Sequence, residues 1–364
     1  MKRINAIFLM IAMLFAVMMS ANAQTSKWKS TDKIPLNPKV KSGVLSNGLT
    51  YYIMNNKKPE NRAELYIVVR AGSIQEDDDQ SGLAHFTEHM CFNGTKNFPK
   101  GELVSFLERT GMRFGADVNA STGFDRTMYT LTIPLDSVGL LESGMLVLED
   151  WLSNVSFDMD EINKERGVIL EEWRLRSNAQ SRMFEKHFPV IAYGTKFPKR
   201  MPIGDTAIIM NAPREAFLRY YKEFYRPNIS AIIVVGDIDV AKIENMIKTG
   251  FGDVKNPDKA RGIEYKKVDI HNDIKVSIAT DKELPMPRYT LYWKHQEKDD
   301  KYTYGNYRRS LLQNMISQMF SLRLQEMTKV ANPPFLGAGG GYSGFLAGAE
   351  VFNLVVVPKI QDMN

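Results

Sequence analysis

The chain has 364 residues, 44% hydrophobic and 24% charged, a balance that fits a soluble globular protein with room for two domains and sets aside disordered and membrane-embedded chains. Its net charge of +5 comes from scattered lysines and arginines with no basic run interleaved with aromatics, so nucleic acid is not an expected partner. The single cysteine, Cys91, rules out a disulfide framework and reads as a small buried hydrophobe.

Residues 1–23 read as an export signal. Lys2 and Arg3 are a positive start, Ala6 to Met19 is an apolar run, and Ala21-Asn22-Ala23 is a small-x-small cleavage site before Gln24. The protein is therefore expected in the periplasm or cell envelope, cut near Ala23/Gln24, with no stable membrane span afterwards. An uncleaved anchor is the competing reading, but the run is short for a spanning helix. No cysteine follows it, so a lipoprotein anchor has no support.

Residues 24–39 carry Pro35 and Pro38 and read as an extended leader. Asn47-Gly48 is a turn signal leading to strands at 49–54 and 63–71. Glu76-Asp77-Asp78-Asp79 reads as a solvated loop with helix-start carboxylates rather than a calcium site. A helix follows, with Ser81 as its expected cap, Leu83, Phe86 and Met90 as apolar positions, and Gly94 as its stop.

That helix carries His85-Phe86-Thr87-Glu88-His89. Four residues advance an α-helix by about 400°, so both imidazoles lie on one face and can reach one metal ion. Glu88 lies on the neighbouring flank, where a carboxylate can take a proton from water on that metal. The pattern H-x-x-E-H is the inverse of the H-E-x-x-H zinc motif. The plain alternative is a structural histidine pair; against it, two of only five histidines fall into this pattern with the glutamate in place.

Further along, a helix at 103–107 stops at Gly111, and strands follow at 113–122 and 126–134. Helices are expected at 137–152 and 158–178, then a loop rich in Phe, Tyr and Pro over 184–205. A helix at 212–225, a buried strand at 229–235 and a helix at 239–248 complete one domain, 40–255. Residues 256–274 are charged and read as a linker. A second domain, 275–364, is expected to hold strands near 275–280 and 288–294, and a long helix with Leu311, Leu312, Met315, Met319, Leu322 and Met327 on its apolar face. Gly337 to Gly344 reads as a flexible turn, since no Lys-Ser or Lys-Thr follows to make a phosphate loop, and Glu350 to Val357 as a last strand. The second domain is about half the length of the first and ends just after a strand, so it is expected to be truncated or completed by a partner.

A catalytic zinc keeps three protein ligands and leaves one position open. Candidates for the third lie in Glu165 to Glu172. Glu165 and Glu172, seven apart, share a helix face to within about 20°; Glu171 points about 100° away from Glu172. Ile162, Ile169 and Leu175 put apolar residues on or beside that face. By spacing alone an exposed charged helix is an equal reading.

The segment His85 to Pro99 resembles the active-site segment of the pitrilysin, insulin-degrading enzyme and mitochondrial processing peptidase family. The resemblance continues through Asn119-Ala120, Thr127 to Leu131, Glu165 to Glu172 and Tyr225-Arg226-Pro227-Asn228. It covers most of 40–255, and the later region more loosely. It implies an α/β (α+β) fold of repeated domains, each a mostly antiparallel sheet packed by helices. It implies one zinc ion (Zn2+) held by His85, His89 and Glu172, with Glu88 as general base and Glu165 in support. The separation of His89 from Glu172 is slightly long for the family, so Glu171 stays as a fallback. Asn119, Ala120 and Ser121 resemble the edge strand that takes a peptide substrate. The family builds its active chamber from two similar halves, so a second homologous half is expected, in cis or as a partner subunit.

The function expected is that of a zinc-dependent endopeptidase acting on peptides or unfolded segments. Two rivals are a catalytically silent homologue serving as a binding or assembly subunit, and a zinc-binding protein without chemistry. Silent homologues typically lose the motif, and zinc carriers show His-rich tracts; this chain keeps the one and lacks the other.

Overall fold

Strict alternation builds the main sheet. Ala63, Leu65, Ile67 and Val69 point into the core, as do Tyr129, Leu131 and Ile133, and then Ile232 and Val234, while the residues between them stay half-buried. The computed structural model describes residues 28–263, 267–271, 273–346 and 348–359. The export signal and Gln24 lie outside the described residues.

Two compact units are present, and the larger comprises Leu36–Pro287 with Gly344–Ala349. Its six-stranded sheet runs in the order β1-β2-β6-β3-β5-β4, from β1 (Lys41–Val44), β2 (Thr50–Asn55), β3 (Arg62–Val69), β4 (Val118–Thr122), β5 (Thr127–Pro134) and β6 (Ser230–Gly236). Only β2 and β6 pair in parallel; the other neighbours are antiparallel. The helices are α1 (Leu83–Asn93), α2 (Glu102–Arg109), α3 (Leu140–Ser153), α4 (Met159–Arg176), α5 (Ala179–Ile191), α6 (Thr206–Asn211), α7 (Arg214–Phe224) and α8 (Val240–Phe251). Phe86, Trp151, Phe217 and Ile247 bring α1, α3, α7 and α8 into one core with the strands. Cys91 is buried there, with its Sγ 3.2 Å from the Tyr129 hydroxyl. The mixed α/β architecture and its mostly antiparallel sheet are as expected.

Several sequence expectations need correction. Strand β1 is additional to the expected strands; it pairs with β2 across the Asn47-Gly48 turn, with Gly48 in the left-handed region at φ 91°. The expected loop over 184–205 is helical up to Ile191. Asn178 caps that helix through the Ser181 N–H, Pro189 falls in its last turn, and Phe188 anchors it in a small cluster with Ile74 and Phe197.

The expected linker 256–274 and the strand at 275–280 are not found as such. Residues up to Pro287 pack with the larger unit, and 275–280 is not a strand. The side chains of α5 hold this stretch. Arg182 donates to Asp281 and Glu283 at 2.8 and 2.7 Å, and His187 Nδ1 lies 2.8 Å from Ser277 Oγ. Side-chain anchors satisfy the segment without strand pairing.

The smaller unit comprises the described residues up to Pro35, Arg288–Ser343 and those from Glu350. Residues 28–35 are thus more than a leader: Trp28 stacks on Tyr304 at 5.1 Å, and Lys33 bridges Thr303. The unit's sheet has the order β7-β9-β8, from β7 (Tyr289–Gln296), β8 (Gly337–Gly344) and β9 (Ala349–Val357), with helix α9 (Tyr304–Met327). Gly337 to Gly344 is a strand, not a flexible turn. A Cβ on Gly340 would sit 2.2 Å from the Asn353 carbonyl oxygen, and one on Gly341 2.5 Å from Ser317 Cβ. Close approach of β9 at Gly340 and of α9 at Gly341 leaves no room for a Cβ at these two positions. Leu311, Leu312, Met315, Met319, Leu322 and Met327 on α9 are exposed.

Candidate metal centre

The motif helix starts differently from the sequence expectation. Ser81 does not cap it. Gly82 is the N-cap residue, in the left-handed region at φ 98°, where a Cβ would meet the Gly204 Cα at 2.9 Å. The acceptor comes from Glu76, whose carboxylate takes the N–H groups of Gly82 and Ala84 at 3.1 and 2.8 Å. Glu76 is therefore not a solvated loop residue; it is buried, and burial pushes its carboxyl up to about 8 against the pull of those N–H groups. Glu76→Ala strands two buried donors and should cost about 2–4 kcal/mol. The melting temperature should then fall by roughly 5–10 °C, with Glu76→Gln recovering much of the loss. An Ala variant that melts with the unaltered protein would show that the helix needs no such cap.

On α1 the His85 and His89 rings meet edge to face, with their centroids 4.7 Å apart and their Nε2 atoms 3.2 Å apart. Helix α4, capped by the Asp158 carboxylate, packs against α1 and brings Glu172 over them. Glu172 Oε2 lies 3.5 Å from each Nε2. Its other oxygen pairs with Arg176. Glu165, two turns earlier, places Oε1 2.7 Å from His89 Nδ1. A carboxylate only accepts, so His89 Nδ1 carries the proton that faces Glu165, and Nε2 is the ring nitrogen left to face Glu172 and His85. Glu171 faces outward and pairs with Arg174. Glu88 accepts a 2.5 Å hydrogen bond from the Thr122 hydroxyl at the end of β4.

Charge in this pocket is strongly polarised. Burial, reinforced by His89, holds His85 down at about 4. Burial also works against a charged His89, but its hydrogen bonds to Glu165 and Glu172 outweigh it and raise it to about 9. The His89 bond draws Glu172 down to about 2. Glu165 sits below the carboxylate range: its bonds to His89 and Asn93 overcome burial. Burial lifts Glu88, with Thr122 pulling the other way. Two carboxylates thus draw positive charge to the point where two imidazoles and one carboxylate oxygen converge.

This donor set fits zinc. Ligands at about 2.0–2.1 Å in a tetrahedron stand about 3.3–3.4 Å apart. The three separations here are 3.2, 3.5 and 3.5 Å.

Asn119, Ala120 and Ser121 lie on β4, which ends the sheet order; its ladder partner is β5, and Val118 at its start also bridges Phe114. Asn119 and Ser121 are exposed, while Ala120 packs partly on the core. Beside Thr122 lies a cavity of about 470 Å³ whose lining includes Trp173, Arg176, Phe184 and Met201. Sequence reasoning missed four contributors: Glu76, Thr122, Arg176 and Asn93. Only Asn93 and Arg176 left a signal, each one turn beyond a candidate ligand on its own helix.

The chain is similar to known proteins over most of its length. The family model for insulinase, peptidase family M16, matches residues 51–201. The model for the M16 inactive domain matches 211–330. A probable zinc protease PqqL of Haemophilus influenzae is 32% identical over 90% of this chain, which spans 35% of that relative. The crystal structure of the first half of the periplasmic protease PqqL from Escherichia coli superposes with a TM-score of 0.81 at 29% identity, covering 91% of this chain and 71% of that one. Pitrilysin, at 18% identity over 92% of this chain and 36% of its own, shares the fold with a TM-score of 0.65. The chain thus spans about a third of the length of the curated PqqL relatives. The two M16 models together match most of the chain, and the chain belongs to the insulinase family of peptidases, M16.

Proposed function

We propose that this chain is the zinc-bearing part of a zinc-dependent endopeptidase that hydrolyses peptides or unfolded segments. The observation that carries this reading is the convergence of His85 Nε2, His89 Nε2 and Glu172 Oε2 at ligand spacing, with Glu88 on the adjoining flank. Those three residues would hold the ion, and Glu165 would orient His89 through Nδ1. Zinc, when bound, supplies Lewis acidity that polarises a carbonyl and makes water easier to deprotonate. Thr122 holds one oxygen of Glu88, which leaves the other to take the proton of the attacking water and hand it to the departing amine. The free edge of β4 at Asn119, Ala120 and Ser121 would take the peptide as an added strand.

Cleavage of a quenched peptide, lost with a chelator and regained with zinc, is the expected result. Zinc uptake without cleavage in the full assembly would favour the silent binding subunit. Protein from the cell envelope should begin at or within a few residues of Gln24; an intact Met1 to Ala23 would speak for an anchor.

The relatives run well beyond the matched length, so full activity is proposed to need a second homologous half, in cis or as a partner. Zinc and Glu88 alone leave the peptide poorly positioned and the developing charge less stabilised. Residues 24–364 by themselves should bind zinc yet cleave weakly, and adding the remaining half should restore turnover. Full peptidase activity from a pure monomer of those residues would refute this.

A further inference from the structure

Glu165 has a second contact that its role toward His89 does not require. Its Oε2 accepts a 2.6 Å hydrogen bond from Asn93 Nδ2, while Oε1 faces His89 Nδ1 at 2.7 Å. Asn93 stands four residues after His89, so both occupy one face of α1 on successive turns. One carboxylate from α4 therefore grips two points on α1. The grip sets α4 in register, and Glu172 lies two turns further along that same helix. The rest of the outer shell is sparse: His85 Nδ1 is buried without a partner, and Glu172 is held by Arg176, an exposed side chain.

We infer that Asn93 is a positioning residue of the zinc centre. It fixes the Glu165 carboxylate, and through it both the His89 ring and the approach of Glu172. This rests on the metal reading above and adds a residue to it. Losing such an outer partner typically weakens metal binding by about 10- to 100-fold.

The test is zinc affinity, measured on the intact protein by competition with a chromophoric chelator, with dissociation followed after chelator challenge. Asn93→Leu, close in size but without a donor, should bind zinc about 10- to 100-fold more weakly and release it faster. Asn93→Asp, which sets a second carboxylate against Glu165, should do at least as badly. Combining Asn93→Asp with Glu165→Gln reverses donor and acceptor, and should bind more tightly than Asn93→Asp alone. Metal-free circular dichroism of the variants should stay native. An Asn93→Leu variant with unchanged affinity and release rate overturns the inference. So does zinc loss that merely follows unfolding of the metal-free variant, or a double variant no better than Asn93→Asp. If the unaltered protein itself takes up no zinc, the metal reading falls, and this with it; if it does and Asn93→Leu matches it, only the role of Asn93 falls.

Discussion

Glu88→Gln should leave zinc near stoichiometric while turnover falls by on the order of 10² or more. The substitution keeps the length of the side chain and an oxygen that can accept from Thr122, so the local structure is preserved. What it removes is the capacity to take a proton. Glu88 lies outside the cluster of ligand atoms formed by His85, His89 and Glu172, so metal content and chemistry should separate cleanly. Zinc content by metal analysis and peptide turnover, measured on the same preparation with the proposed second half supplied, give both readings at once. Near-normal turnover would rule out Glu88 as the base; loss of zinc would make it a ligand instead.

The second large effect concerns the ligands. Structural zinc sites release about 10–16 kcal/mol over four ligands, roughly 3 kcal/mol for each. His85→Ala, His89→Ala and Glu172→Gln should therefore each weaken zinc binding by about 10²- to 10³-fold. Glu171→Gln should change nothing, because that carboxylate faces Arg174 and solvent. Zinc titrations of the four variants decide the assignment. The reverse pattern, with Glu171→Gln losing the metal and Glu172→Gln keeping it, would make Glu171 the ligand and overturn the assignment of Glu172.

Much of this protein was legible in the chain itself. Covalent spacing puts His85 and His89 on one helical face whatever surrounds them, since the period of an α-helix is local. The two-residue alternation of Tyr129, Leu131 and Ile133 requires a strand with one face in the core. Asp158 announces the start of α4, because a short acceptor before a helical run satisfies its first N–H groups.

Other features depended on contacts between distant segments. Spacing left Glu165, Glu171 and Glu172 open as ligands, and only the packing of α4 on α1 decided which oxygen meets which nitrogen. The acceptor for the motif helix is Glu76 rather than Ser81, because a left-handed Gly82 pressed against Gly204 turns the chain so that a carboxylate six residues earlier reaches the free N–H groups. Residues 275–280 look like a strand, yet Arg182 and His187 on α5 hold the stretch around 277–283 by side-chain bonds. Gly337 to Gly344 looks like a turn, yet forms a strand of the β7-β9-β8 sheet, where Gly340 leaves room for the Asn353 carbonyl and Gly341 for Ser317 on α9. The sequence by itself determined the periodic elements and the chemistry of the motif helix, since both follow from spacing along one segment. The tertiary structure decided which carboxylate faces the two imidazoles, the hydrogen bond from Thr122 to Glu88 and the Asn93–Glu165 grip, because each is a distance between residues far apart in the chain.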